Sequence, residues 1–248
     1  MFKSRREFVY IIMAGIFITN AVVAELIGSK LIQIGPFTFG ENNLMQVGPF
    51  IMSIGIIPWP VVFLTTDLIN EYYGKQGVRR LSVITASFIA YAFVILLVAI
   101  KIPAAAGISN VSDEQFMAVF GQSLWIIIGS IVAFLTSQFV DVFVFWLLRD
   151  KTGGKMIWLR STGSTAISQL IDTFVILGIA FWLPGKMTTA VYLNATLTSY
   201  TIKLLIAIAL TPLIYVGHNL IEKYLGKEES HTLIKHSAED SLHHKVKE

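Results

Sequence analysis

The sequence predicts an all-α integral membrane protein: a bundle of about six transmembrane helices, with both termini on the cytoplasmic side. Three observations predict it. Apolar residues make up 54% of the chain, charged residues only 14%, and the mean hydropathy is +0.68. Soluble domains average roughly 25% charged residues, so lipid must be the solvent for most of this chain. Six continuous apolar runs divide the sequence, each about as long as the ~20 residues that cross a bilayer. Lysine and arginine also alternate between the connections, rich in one and poor in the next.

The first run, Phe8–Ile27, follows a basic N-terminus. It opens like a signal peptide, but no small-residue cleavage site follows. It continues past Asn20 and Glu25 to a Gly28-Ser29-Lys30 break and reads as a retained helix. Leu31–Gly40, around Gly35-Pro36, predicts a short hairpin on the outer face. The second and third runs are Val47–Leu68 and Leu81–Ile100, with Gly74 between them and Pro103 beyond. Ala104–Met117 is a polar outer loop, and Ser112-Asp113-Glu114 is a capping signal for the fourth helix. The fourth run, Phe120–Leu148, ends at Thr152-Gly153-Gly154. The fifth, Thr165–Leu183, ends at Pro184-Gly185, and the sixth is Val191–Tyr215. In hydrocarbon the backbone must bond to itself, so continuous runs are helices. Barrel strands would alternate apolar and polar residues instead.

Orientation follows from the cations. Lys3, Arg5 and Arg6 precede the first run, and Lys75, Arg79 and Arg80 fill the second connection. Arg149, Lys151, Lys155 and Arg160 fill the fourth, and the C-terminal tail has five lysines. The first, third and fifth connections hold one each, Lys30, Lys101 and Lys186. This is the positive-inside pattern of an even number of spans. Residues 1–222 therefore form the membrane domain, and 223–248 read as a charged, disordered cytoplasmic tail. Metal binding by His231, His236, His243 and His244 is the alternative reading of that tail.

Absent signals narrow the function. The chain has no cysteine, which excludes thiolate chemistry and disulfides. It has no phosphate-binding G-x-x-x-x-G-K-[ST] loop, no H-E-x-x-H and no G-x-S-x-G. The reading is a protein that is not an enzyme and needs no cofactor or metal. A net charge of +3 and a pI near 9 are explained by positive-inside anchoring, so nucleic acid is not a partner. The lipid bilayer is.

Ionisable residues in hydrocarbon are costly, and they mark function by default. Here Glu25, Asp67, Asp141, Asp172 and Lys203 lie within or at the ends of apolar runs, accompanied by Asn20, Asn70, Gln138, Gln169 and Asn194. Ser137-Gln138-Phe-Val-Asp141-Val-Phe143 recurs as Ser168-Gln169-Leu-Ile-Asp172-Thr-Phe174, an S-Q-x-x-D-x-F echo in successive helices. Gln and Asp three apart share a helical face, so each helix offers an amide and a carboxylate to one side. Repeated units around a midplane site are common in secondary transporters. Helix-to-helix hydrogen bonding is the structural alternative. At the cytoplasmic end of the second helix, Asp67, Asn70 and Glu71 also share a face. Acids there oppose the helix dipole and call for a partner such as Arg79 or Arg80, or for a gating role.

The D-x-I-N-E-x-Y-G stretch (Asp67–Gly74), the first helix from Asn20 to Lys30 and the two S-Q-x-x-D-x-F segments together resemble the queuosine precursor transporter family. It is also called vitamin-uptake-transporter-like and was formerly a domain of unknown function. The resemblance covers roughly residues 10–220 and implies about six helices in the bacterial inner membrane. It also implies import of 7-deazaguanine bases such as preQ0 and preQ1. A guanine-like edge presents neighbouring N–H donors that a carboxylate and an amide can accept. Such bases stack on aromatic rings, for which Phe143, Trp146, Phe174 and Tyr200 are candidates. The expected central site is Gln138, Asp141, Gln169 and Asp172, with Lys203 as counter-ion and contributions from Glu25 and Asn20. The expected gate is Asp67, Asn70 and Glu71. The partner is a small purine-like molecule, and a buried aspartate could carry a coupling proton. The sequence carries no signal for an oligomeric state. Two other functions fit: the substrate-binding subunit of an energy-coupling-factor vitamin importer, and a non-transporting membrane scaffold.

Overall fold

Long apolar helices dominate the chain, as its hydropathy requires. The computed structural model describes residues 4–35, 37–39, 45–47, 50–105, 107–152 and 156–243. Helix α1 (Arg5–Ile27) starts at Ser4, whose hydroxyl accepts the Glu7 amide at 3.2 Å. Strands β1 (Leu31–Ile34) and β4 (Phe50–Ser53) pair antiparallel, as do β2 (Phe37–Phe39) and β3 (Met45–Val47). A 3-10 turn at Ile54–Ile56 leads into α2 (Trp59–Ala99). Short α3 (Asp113–Phe120) precedes α4 (Leu124–Thr152) and α5 (Ile157–Leu177), which runs on through a π-helical turn at Gly178–Trp182. Helices α6 (Thr189–Leu225) and α7 (Lys227–His243) close the chain.

Among the described residues five helices are long and apolar enough to cross a bilayer, and α2 crosses twice. Inside it, Gly74 has φ 72° and ψ −177°, a backbone that only glycine adopts readily. The chain turns back there. Residues 66 and 82 would lie about 24 Å apart in a straight helix, yet the Thr66 and Ser82 hydroxyls sit 3.3 and 3.5 Å from one atom, Gln138 Oε1. The structure thus has six crossings, as the apolar runs predict.

An even number of crossings returns both ends to one face. Arg6 and Glu229 form a 2.6 Å ion pair there, and the Tyr73 hydroxyl donates to the Arg6 carbonyl at 2.7 Å. This is the lysine- and arginine-rich face, cytoplasmic by the positive-inside rule. The opposite face holds the strand pairs, α3 and the start of α4, where Gln122 donates to the Glu25 carbonyl at 2.9 Å. The apolar core sits between, with Phe134 packed against both Phe17 and Trp59 at ring separations of 6.2 and 5.8 Å.

Several sequence expectations shift. The second crossing begins at Trp59, not at Val47, because β-branched and aromatic residues ahead of it pair as strands. Leu31–Gly40 does not fold onto itself: its strands pair with segment 45–53, while Pro36 and Gly40 lie outside the described residues. Ser112 caps the separate helix α3, in a full capping box with Gln115. The tail is corrected for residues 227–243, which form α7. Its Ser230 and Ser237 are 1% and 5% exposed against the bundle, so hydrogen-bonded packing gives order that composition hides. Among the described residues no three His, Cys, Asp or Glu side chains converge to hold a metal. His244, Lys3, Lys245, Lys247 and the Gly153-Gly154-Lys155 break lie outside them.

Candidate functional site

Helices α4 and α5 form the most extensive helix contact in the bundle, and their echoed segments bond reciprocally. Ser168 donates to Asp141 Oδ1 at 3.1 Å, and Ser137 lies 3.5 Å from Asp172 Oδ1. The serine of each copy therefore serves the aspartate of the other, as two antiparallel helices about a local two-fold would do. The second oxygen distinguishes the copies. Asp172 Oδ2 takes the Lys203 ammonium of α6 at 2.8 Å. Asp141 Oδ2 is buried with no hydrogen-bond partner.

A cavity opens between the first arm of α2, α5 and α6. Trp59 and Phe63, parallel to within 14° at 5.8 Å, form an aromatic wall. Asp67, Ser161, Thr165 and Gln169 line the polar side, with Lys203 and Thr211 from α6. Asp67 is 3% exposed and accepts a hydrogen bond from Ser161 through Oδ2. Its Oδ1 and the Oε1 of Gln169, a residue 2% exposed, are buried acceptors with no hydrogen-bond donor. Buried polar atoms are almost always bonded, so two orphan acceptors in one cavity mark where a donor-bearing ligand fits.

Toward the cytoplasmic face, Glu71 sits 2.6 Å from Arg160 and 3.5 Å from Arg149, all three buried. These are its partners, and not Arg79 or Arg80. After the turn at Gly74 those two point outward, Arg79 over the Phe139 ring and Arg80 to Gln76. Asn70, fully buried, accepts the Trp146 indole N–H at 2.8 Å. Helix α7 covers this end: Ser237 donates to the Glu71 carbonyl at 2.7 Å, and Arg149 to the Ile234 carbonyl at 3.1 Å.

The structure thus regroups the predicted residues. Gln169 and Lys203 line the cavity; Gln138, Asp141 and Asp172 stand outside its wall. Asp67, expected at the gate, is on the wall, leaving Asn70 and Glu71 at the cytoplasmic end. Glu25 lies in the field of Asp172 and Lys203. Asn20 is not brought in. The buried face of α1 carries Phe17, Ala21 and Ala24, and Asn20 lies off it, donating to the Ile16 carbonyl at 2.8 Å. Phe143 and Phe174 are 66% and 46% exposed and form no cavity wall. Sequence reasoning missed Trp59, Phe63, Ser161 and Thr165. The serine and threonine spacing through 161, 165 and 168 was a legible stripe, cut off by starting the fifth run at Thr165.

A sequence-family model described as "Putative vitamin uptake transporter" matches residues 53–217, ending before α7. A protein of Bacillus subtilis named "Probable queuosine precursor transporter" is 32% identical over 171 residues, 68% of this chain and 72% of that one. A protein of the same name from Haemophilus influenzae is 29% identical over 129 residues, 52% of this chain and 51% of its own. No solved structure matches.

Proposed function

The chain belongs to the vitamin-uptake-transporter family, and we propose that it is a secondary carrier importing 7-deazaguanine precursors of queuosine, such as preQ0 and preQ1. The observation that carries this reading is the pairing of two orphan acceptors with a stacked aromatic wall in one cavity. A guanine-type base presents N–H donors along one edge. Asp67 Oδ1 and Gln169 Oε1 accept them, while Trp59 and Phe63 meet the flat face, where stacking contributes about 1–3 kcal/mol per base. Lys203, held by Asp172, closes the side toward α6. The Asn70 and Glu71 cluster forms the cytoplasmic gate, beyond which the base is released. The work done is binding and release, with no covalent step. The relatives' printed names support the substrate class, and their bacterial source supports the cytoplasmic membrane as the location.

The test is salvage. The gene is deleted in a host unable to make preQ0, each precursor is supplied outside, and queuosine in tRNA is assayed. Modification should fall for at least one precursor and return with the wild-type chain but not with Asp67→Asn. Unchanged modification for every precursor would refute the reading.

A further inference from the structure

Asp141 is the buried acid that the cavity leaves unused. It is 4% exposed, in the middle of α4, and stands outside the cavity wall. Its Oδ1 accepts from Ser168 at 3.1 Å, while Ser164, on the same face of α5, donates to the Ser161 carbonyl at 3.1 Å. Its Oδ2 has no partner. Among the described residues the cations inside the bundle pair elsewhere, Arg149 and Arg160 with Glu71 and Lys203 with Asp172, and no ion pair forms on Asp141 or on Asp67. Serines of α5 bond both carboxylates, Ser168 that of Asp141 and Ser161 that of Asp67 of α2, and Asp67 lies in the field of Asp141, of Glu71 of α2 and of Arg160 of α5. Glu25 of α1, Asp172 of α5 and Lys203 of α6 form a separate electrostatic group.

Asp67 Oδ1, Asp141 Oδ2 and Gln169 Oε1 are all acceptors, whereas the orphan donor Asn70 Nδ2 belongs to the Glu71 cluster at the cytoplasmic end. Acceptors cannot satisfy one another; each needs a hydrogen from elsewhere. A bound base supplies donors to Asp67 and Gln169, which line the cavity. Asp141 is out of its reach, and a proton on Oδ2 turns that acceptor into a donor. A proton also resolves the repulsion between two neighbouring buried carboxylates, whose interaction is strong at low dielectric. Asp67 must be an anion to accept at both oxygens, the Ser161 hydroxyl at Oδ2 and a base N–H at Oδ1. A negative Asp141 opposes that state, and a neutral one permits it. Proton binding at Asp141 and base binding at Asp67 therefore favour each other, and the coupling is reciprocal.

From this we infer that Asp141 binds a proton carried inward together with the base, one proton per base, making the protein a proton symporter. The inference rests on the carrier reading. Outside, the carboxylate takes up one proton as the base enters. Inside, loss of the base withdraws the donors that hold Asp67 as an anion, the proton affinity of Asp141 falls by the same reciprocal coupling, and the proton leaves from Asp141 Oδ2 to the cytoplasm. No other species is consumed.

The test uses the purified full chain in liposomes carrying an internal pH dye, with voltage clamped and preQ0 as an uncharged probe. An inward proton gradient of about one pH unit should drive about tenfold accumulation, since each factor of ten in activity is the same free energy for proton and base. Internal acidification should match preQ0 entry one for one. In Asp141→Asn accumulation should fall to equilibration, with the variant eluting as a folded species, and Asp141→Glu should recover it. Tenfold accumulation by Asp141→Asn overturns the inference. So does wild-type accumulation that is indifferent to the proton gradient or follows a sodium gradient instead. If Asp141→Asn does not fold, the wild-type proton flux decides alone. Failure of the wild type to exchange any 7-deazaguanine base refutes the carrier reading itself, and the symport with it.

Discussion

Replacing Glu71 by Gln removes the carboxylate that two buried guanidinium groups share. Arg160 sits 2.6 Å from it and Arg149 3.5 Å, with side-chain exposures of 2% and 8%. Removing one partner of a buried ion pair costs about 3–5 kcal/mol, because the remaining charge stays buried without compensation. In Glu71→Gln two like charges remain, so the loss should reach the upper part of that range. Arg160→Met is different. It removes the shorter bond, a charge-assisted hydrogen bond of about 1.5–3 kcal/mol, but leaves Glu71 opposite Arg149 in a neutral pair. The double variant keeps one guanidinium, which still donates to the Ile234 carbonyl at 3.1 Å and lies 4.6 Å over the Trp146 ring. Arg160→Met should therefore rescue Glu71→Gln by about 1–2 kcal/mol, through relief of one uncompensated buried charge. Thermal unfolding of the detergent-purified variants measures it, each compared with wild type in the same micelle. A double variant less stable than Glu71→Gln would refute the cluster as drawn.

Two further outcomes follow from the same geometry. Gly74→Ala forces a side chain into φ 72° and sets its Cβ 3.5 Å from the Ser237 Cβ. It should cost about 1–3 kcal/mol in the same unfolding assay, whereas Gly15→Ala, with open space around it, should cost nothing. Trp59→Ala removes half of the stacked wall and should raise the Kd for a 7-deazaguanine base about tenfold, the equivalent of about 1.4 kcal/mol. Equilibrium binding to the purified chain measures this, with Phe143→Ala, on the exposed side of α4, leaving the Kd unchanged.

Hydropathy and charge made the six crossings legible, because spanning a membrane constrains composition more than shape. The S-Q-x-x-D-x-F echo likewise showed two matched polar faces. What one-dimensional spacing could not show is which groups meet after the chain turns back at Gly74. Asp67 and Glu71 are four residues apart and share a helix face, yet one lines a cavity and the other anchors two arginines. Asp141 and Asp172 occupy equal places in the echo, but only Asp172 faces a lysine from α6. The aromatic wall lay near the start of α2, in a segment whose apolar residues give strand and helix one after the other. The tail was misjudged because charge and polarity suggest a solvated chain, while its buried contacts are two serines and a few apolar side chains.

The bond from Ser237 to the Glu71 carbonyl joins residues 166 positions apart. At Gly74 the helix breaks, and the hydroxyl supplies a donor to a carbonyl beside the break. That donor is synthesised long after the second and third crossings, so their connection is completed only when α7 docks against it. A fusion placed directly after residue 226 would interrupt that step, whereas one placed at the N-terminus would leave its timing untouched.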